Sequence, residues 1–150
     1  PCEAPAISGQ PAAVSVCPGG QAELSVGATG TALRYRWRRG GVDLSDEPGS
    51  RTGTATGTLT IAAATAADAG RYDCVVTNAC GNAVTTAAVL VVCAADYNCD
   101  GFLDFFDYDD YLRCFEGGAC PPGRTADFNG DGFADFFDYA DFVGGFEAGC

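Results

Sequence analysis

Asp127–Phe128–Asn129–Gly130–Asp131–Gly132–Phe133–Ala134–Asp135–Phe136–Phe137–Asp138 carries oxygen-bearing side chains at positions 1, 3, 5, 9 and 12 of a twelve-residue stretch, with glycine at position 6. That spacing lets a short loop wrap a calcium ion. Calcium is a hard cation that takes six to eight oxygens at about 2.3–2.6 Å, and a glycine at position 6 permits the tight curl that presents them. The same pattern stands 31 residues upstream, as Asp96–Tyr97–Asn98–Cys99–Asp100–Gly101–Phe102–Leu103–Asp104–Phe105–Phe106–Asp107. A fixed offset marks a tandem repeat.

The candidate ligands are therefore Asp96, Asn98, Asp100, Asp104 and Asp107 in the first loop, and Asp127, Asn129, Asp131, Asp135 and Asp138 in the second. Phe102 and Phe133, at position 7, contribute a backbone carbonyl. Leu103 and Ala134, at position 8, are expected to point inward. Position 12 is aspartate where an EF-hand has glutamate, so each loop must close more tightly to chelate. Without a cation, five oxygen side chains in one small loop would repel. Two calcium ions are the expected cofactors. Magnesium fits less well because it holds its waters.

After each loop the apolar pattern becomes helical. Tyr108, Tyr111, Leu112 and Phe115 fall at i, i+3, i+4 and i+7, and Tyr139, Phe142, Val143 and Phe146 repeat that face. The helices are predicted over 108–115 and 139–146, their faces packed on each other. Phe105, Phe106, Phe136 and Phe137 are left over. Either one of each pair enters that core, or the four form a duplicated contact surface for a partner.

Residues 94–150 resemble a dockerin domain, the calcium-binding half of the cohesin–dockerin pair. That family has two twelve-residue loops ending in aspartate, each followed by one helix, and both copies here match. The resemblance implies ion ligands at loop positions 1, 3, 5, 7, 9 and 12 and docking to a protein partner. Dockerins often carry small hydroxyl residues at positions 10 and 11, where this chain has Phe105–Phe106 and Phe136–Phe137. The final Gly149–Cys150 resembles the ends of dockerin-like tails on surface proteins of planctomycete-type bacteria.

The net charge is −12 and unevenly spread. Residues 94–150 hold thirteen acids and two arginines, and residues 1–93 hold seven acids and six arginines. So acidic a chain is a poor nucleic-acid binder, since phosphates are repelled. No stretch approaches the 18 apolar residues of a membrane span. Catalysis has no support either: histidine and lysine are absent, and Ser8, Ser15, Ser25, Ser45 and Ser50 have no visible base partner.

Nine cysteines in 150 residues predict disulfides and an extracellular or cell-surface setting. Zinc is disfavoured, because there is no histidine and no paired C-x-x-C. Cys2, Cys17, Cys74 and Cys80 can give two bridges, and Cys93, Cys99, Cys114 and Cys120 two more. Cys150 is then the odd one out, available for covalent attachment or for an internal bridge.

Residues 1–93 show no helical periodicity. Short runs at 21–27, 33–39, 56–62, 71–77 and 83–92 alternate and are separated by Gly, Asp, Ser and Pro clusters, which reads as an all-β sandwich. The stretch resembles an immunoglobulin-like domain, on Trp37 in the third strand and on Asp68–Ala69–Gly70–Arg71–Tyr72–Asp73–Cys74 before the sixth. The resemblance implies a tryptophan at the core centre, a tyrosine corner at Tyr72, and a salt bridge between Arg51 and Asp68. Val26 stands where the partner of Cys74 is expected, so the usual inter-sheet disulfide is absent unless Cys74 finds Cys17. Arg34, Arg36 and Arg38 alternate with Tyr35 and Trp37. They form either a solvated face or a basic patch for the acidic module. The junction at 91–96 lacks the Gly/Ser or Pro run of a flexible linker.

The expected architecture is a mainly β immunoglobulin-like sandwich over 1–93, then a small α domain of paired EF-hand-type loop-helix units over 94–150. The expected function is a secreted, non-catalytic, calcium-binding assembly protein. The sandwich is a spacer and the repeat docks to a partner or a neighbouring copy, head to tail in a filament. The alternatives are the anchoring module of a larger secreted protein that binds a cohesin-like partner, and an adhesin module for glycan or protein. Asp131→Ala should weaken the second site.

Overall fold

The computed structural model describes residues 1–150. The chain forms two compact units, Pro1–Val92 and Cys93–Cys150. The first is built of strands β1 (Ala6–Gly9), β2 (Val14–Val16), β3 (Ala22–Ser25), β4 (Gly27–Thr29), β5 (Arg34–Arg39), β6 (Val42–Asp43), β7 (Arg51–Thr52), β8 (Thr58–Ile61), β9 (Gly70–Asn78), β10 (Gly81–Val84) and β11 (Ala88–Val92). One sheet runs β3-β8-β7. The other runs β2-β11-β9-β5-β6, with β10 also paired to β9, and β1 pairs with β4.

Alternation sets the faces. Along β5, Trp37 is buried while Arg34 and Arg36 are exposed. Gly40 and Gly41 turn β5 into β6 with φ of +55° and +82°, the left-handed pair that a two-residue hairpin needs. Trp37 sits opposite Cys74 on β9, and both are fully buried with Leu24, Leu59, Ile61, Tyr72, Val76 and Leu90. The Trp37 indole N–H donates to the Thr56 carbonyl at 2.8 Å. The Tyr72 hydroxyl donates to the Asp68 carbonyl at 2.6 Å, which is the tyrosine corner.

The run at 83–92 is two strands, not one. Between them the buried Thr85 takes the place of the ladder: its Oγ1 accepts from the Cys74 N–H at 2.9 Å, and its own N–H donates to the Cys74 carbonyl at 3.0 Å. The expected Arg51–Asp68 salt bridge also gives way. Asp68 accepts from the Thr65 N–H and hydroxyl to cap a single 3-10 turn, Ala66–Asp68, and Arg51 pairs with Glu47 at 3.1 Å.

The second unit holds α1 (Phe105–Phe115) and α2 (Phe136–Ala148). Both helices begin three residues before the predicted start. Asp104 and Asp135, loop position 9, are their N-caps, accepting from the Phe106 and Phe137 N–H groups. The predicted apolar faces do pack together, except that Leu112 lies outside the core cluster. Tyr97 and Phe128, at loop position 2, belong to that cluster as well. Tyr111 stacks on Phe142 with ring centroids 4.0 Å apart and planes at 11°. The Tyr108 and Tyr139 hydroxyls share a hydrogen bond of 2.8 Å. Each of these pairs is a residue and its twin 31 positions on. Twins that touch each other are the mark of an approximate two-fold axis.

Cysteine pairing departs from expectation. Cys150 is not left over: it bonds Cys93, with Cα atoms 5.4 Å apart. Cys2 bonds Cys80 and Cys114 bonds Cys120. Cys17 and Cys99 are also disulfide-bonded. The free cysteine is Cys74, buried, its thiol pushed up in pKa by that burial. A buried, protonated thiol is inert. Native protein is therefore expected to leave a thiol reagent untouched. Denaturation without reductant should expose one reactive group per chain, which peptide mapping should place at Cys74.

Candidate functional site

The two loops curl by the same hydrogen bonds. In the second, Asp127 Oδ1 accepts from the Gly130 and Asp131 N–H groups at 2.8 and 3.1 Å, and Oδ2 from Gly132 at 2.9 Å. Asn129 Oδ1 accepts from Asp131, and Asp131 Oδ1 from Phe133, both at 2.9 Å. Asp138 closes the ring from α2: Oδ1 accepts from Phe128 and Asn129 at 2.7 and 3.0 Å, and Oδ2 from Asp135 at 2.8 Å. In the first loop Asp96 accepts from Asp100 and Gly101, Asn98 from Asp100, Asp100 from Phe102, and Asp107 from Asn98 and Asp104.

Position 12 does the closing in both copies. Asp107 and Asp138 lie at N3 of their helices, complete the capping boxes and are fully buried. Backbone N–H groups of Asn129 and then Asp135 hold the Asp138 carboxyl below the ordinary aspartate range. Asp96 goes the other way. Burial pushes it up, and the charges of Asp107 and Asp100 add to the effect.

Asp127, Asp131 and Asp138 converge: one ligand oxygen from each lies within 4.8 Å of the others. An all-oxygen donor set of this kind suits a hard cation and not zinc or copper. The remaining candidates occupy their expected loop positions, with Asn98, Asn129, Asp104 and Asp135 each bonded to loop or helix backbone. Position 8 departs from expectation, since Leu103 is half-buried and Ala134 exposed.

The phenylalanines settle differently from the core-filling alternative. Phe105, Phe106, Phe136 and Phe137, with Phe102 and Phe133 at position 7, are each between 67% and 72% exposed. Helix geometry explains this. Positions 10 and 11 are the first two residues of each helix, where Phe105 and Phe136 lie against only the outer faces of Tyr108 and Tyr139, with ring centroids 6.1 and 6.4 Å apart. Beside them Phe105, Tyr108, Val143, Phe146 and Glu147 line an apolar groove with one carboxylate at its rim.

In the first unit two of the three stripe arginines are paired within their own sheet. Arg38 makes a two-pronged bond to Asp73 at 2.8 and 2.7 Å, and Arg36 pairs with Asp43 at 3.2 Å.

The immunoglobulin domain family model matches residues 4–78, half of the chain. This chain belongs to the immunoglobulin domain family. Solved structures agree with the assignment. Titin M4 is 25% identical, with a TM-score of 0.55 over 61% of this chain and 98% of that one. The chain matched in the titin M10–obscurin-like 1 Ig complex is 32% identical, with a TM-score of 0.55 over 60% of this chain and 94% of that one. Extracellular domains 3–5 of Drosophila OTK, 23% identical with a TM-score of 0.55, share the fold over 61% of this chain and 32% of that one. No curated protein matches. The immunoglobulin domain is a structural or interaction module, and no helix of the chain is long and apolar enough to cross a membrane.

Proposed function

We propose that this is a secreted, non-catalytic assembly protein. Its Cys93–Cys150 unit is a dockerin-like module that binds two calcium ions and docks to another polypeptide, with the immunoglobulin domain as spacer. The convergence of Asp127, Asp131 and Asp138 oxygens within 4.8 Å carries the reading. In it, Asp96, Asn98, Asp100, Asp104, Asp107 and the Phe102 carbonyl hold the first ion. Asp127, Asn129, Asp131, Asp135, Asp138 and the Phe133 carbonyl hold the second. The ions offset the charge of thirteen acids in one small unit and fix the loops that present the phenylalanines. Several disulfides fit an oxidising, extracellular setting.

Calorimetric titration of the full chain with calcium chloride tests the metal. Two ions per chain are expected, and one with Asp131→Ala; no binding by the unaltered chain refutes the proposal. The docking surface has its own test. Phe105→Ser, Phe106→Ser, Phe136→Ser and Phe137→Ser together should leave calcium binding intact and abolish association, since aromatic anchors dominate interface energy. Electron microscopy then separates a neighbouring copy from a cohesin-like partner as the occupant. Uniform fibres mean head-to-tail assembly, and a monodisperse small particle means a separate partner.

A further inference from the structure

Arg124 lies three residues ahead of the second loop, yet its side chain serves the first. Nη2 donates to the Asp96 carbonyl at 2.7 Å, and Nε to the Tyr97 carbonyl at 3.2 Å. The guanidinium carbon stands 5.3 Å from the centre of the Tyr97 ring. The next two residues continue the tie: the Thr125 carbonyl accepts from the Tyr97 hydroxyl at 2.9 Å, and the Ala126 carbonyl from the Tyr111 hydroxyl at 3.3 Å. Three consecutive residues leading into the second loop are thus each bonded to the first repeat. The twin of Arg124, 31 positions earlier, is Cys93, so the second loop has no matching clamp.

We infer that Arg124 is a positioning residue that couples the two cation loops. It fixes the backbone of Asp96 and Tyr97, at positions 1 and 2 of the first loop, only when the leader of the second loop is in place. A planar fork is suited to this, since one side chain bonds two successive carbonyls and stacks on an aromatic face. Charged donors also make the stronger hydrogen bonds. An ion that orders the second loop therefore holds the first loop ready, and linkage makes the benefit mutual. The inference rests on the calcium reading above.

The test is a calcium chloride titration of the full chain in six forms: unaltered, Asp100→Ala and Asp131→Ala, each with Arg124 and with Arg124→Gln. With Arg124 present, each ion should strengthen the other by about tenfold, within the usual range for coupled sites. With Arg124→Gln the two loops should bind independently. Coupling of equal size in both backgrounds, zero included, overturns the inference while leaving the calcium reading standing. Failure of the unaltered chain to bind calcium removes both. If Arg124→Gln does not fold, Arg124→Lys replaces it. Lysine keeps the charge but loses the fork, so coupling should fall below half its unaltered value, and full coupling with lysine also overturns the inference.

Discussion

Chelating calcium from the full chain is expected to lower the melting temperature of the Cys93–Cys150 unit sharply while that of the immunoglobulin domain stays put. An ion at a hundredfold its dissociation constant stabilises the state that binds it by about 2.7 kcal/mol, so two such ions contribute about 5 kcal/mol. A core of this size supplies only about 3–5 kcal/mol by itself, so removing the ions takes away about half of the margin. The ion-free unit would hold thirteen acids against two arginines. Calorimetry should show two transitions in calcium chloride, of which only one moves on adding a chelator. Two transitions that both ignore the chelator count against the metal sites.

Trp37→Ala is expected to have the largest effect in the first unit. The indole is fully buried and its N–H is bonded to the Thr56 carbonyl. Truncating a buried tryptophan costs about 3–5 kcal/mol, against a total of about 5–15 kcal/mol for a natural domain. The usual disulfide behind this tryptophan does not limit the damage, since Cys74 is free. The far-ultraviolet β signal should melt tens of degrees lower or be absent at room temperature, with the transition of the Cys93–Cys150 unit unmoved. A shift of only a few degrees would mean that the sandwich is not centred on this residue.

What could be read from the sequence was local. Loop spacing is a twelve-residue pattern, Trp37 and Tyr72 announce their places by their immediate neighbours, and the tyrosine faces of both helices follow a simple period. Apolar periodicity places the helix starts too late because Asp104 and Asp135 serve the loop and the helix at once, so loop grammar hides the N-caps. The split at Thr85 depends on a side chain reaching β9, which strand alternation cannot register. The family resemblance pairs Asp68 with a distant arginine, whereas its donors belong to Thr65, three residues away. Cysteine pairing is non-local by nature: Cys93 and Cys150 are separated by 57 residues and meet only once the unit has folded. The exposure of all six loop phenylalanines likewise depends on where the helices begin.

The Cys93–Cys150 bridge has a mechanical consequence. It joins the first and last residues of the second unit. A pull between residue 150 and any point ahead of Cys93 has a covalent shortcut through two sulfur atoms and need not run along the backbone between them. Both loops and both helices sit on the slack side of that shortcut. A load applied at residue 150 would therefore reach Cys93 without passing along the backbone between them.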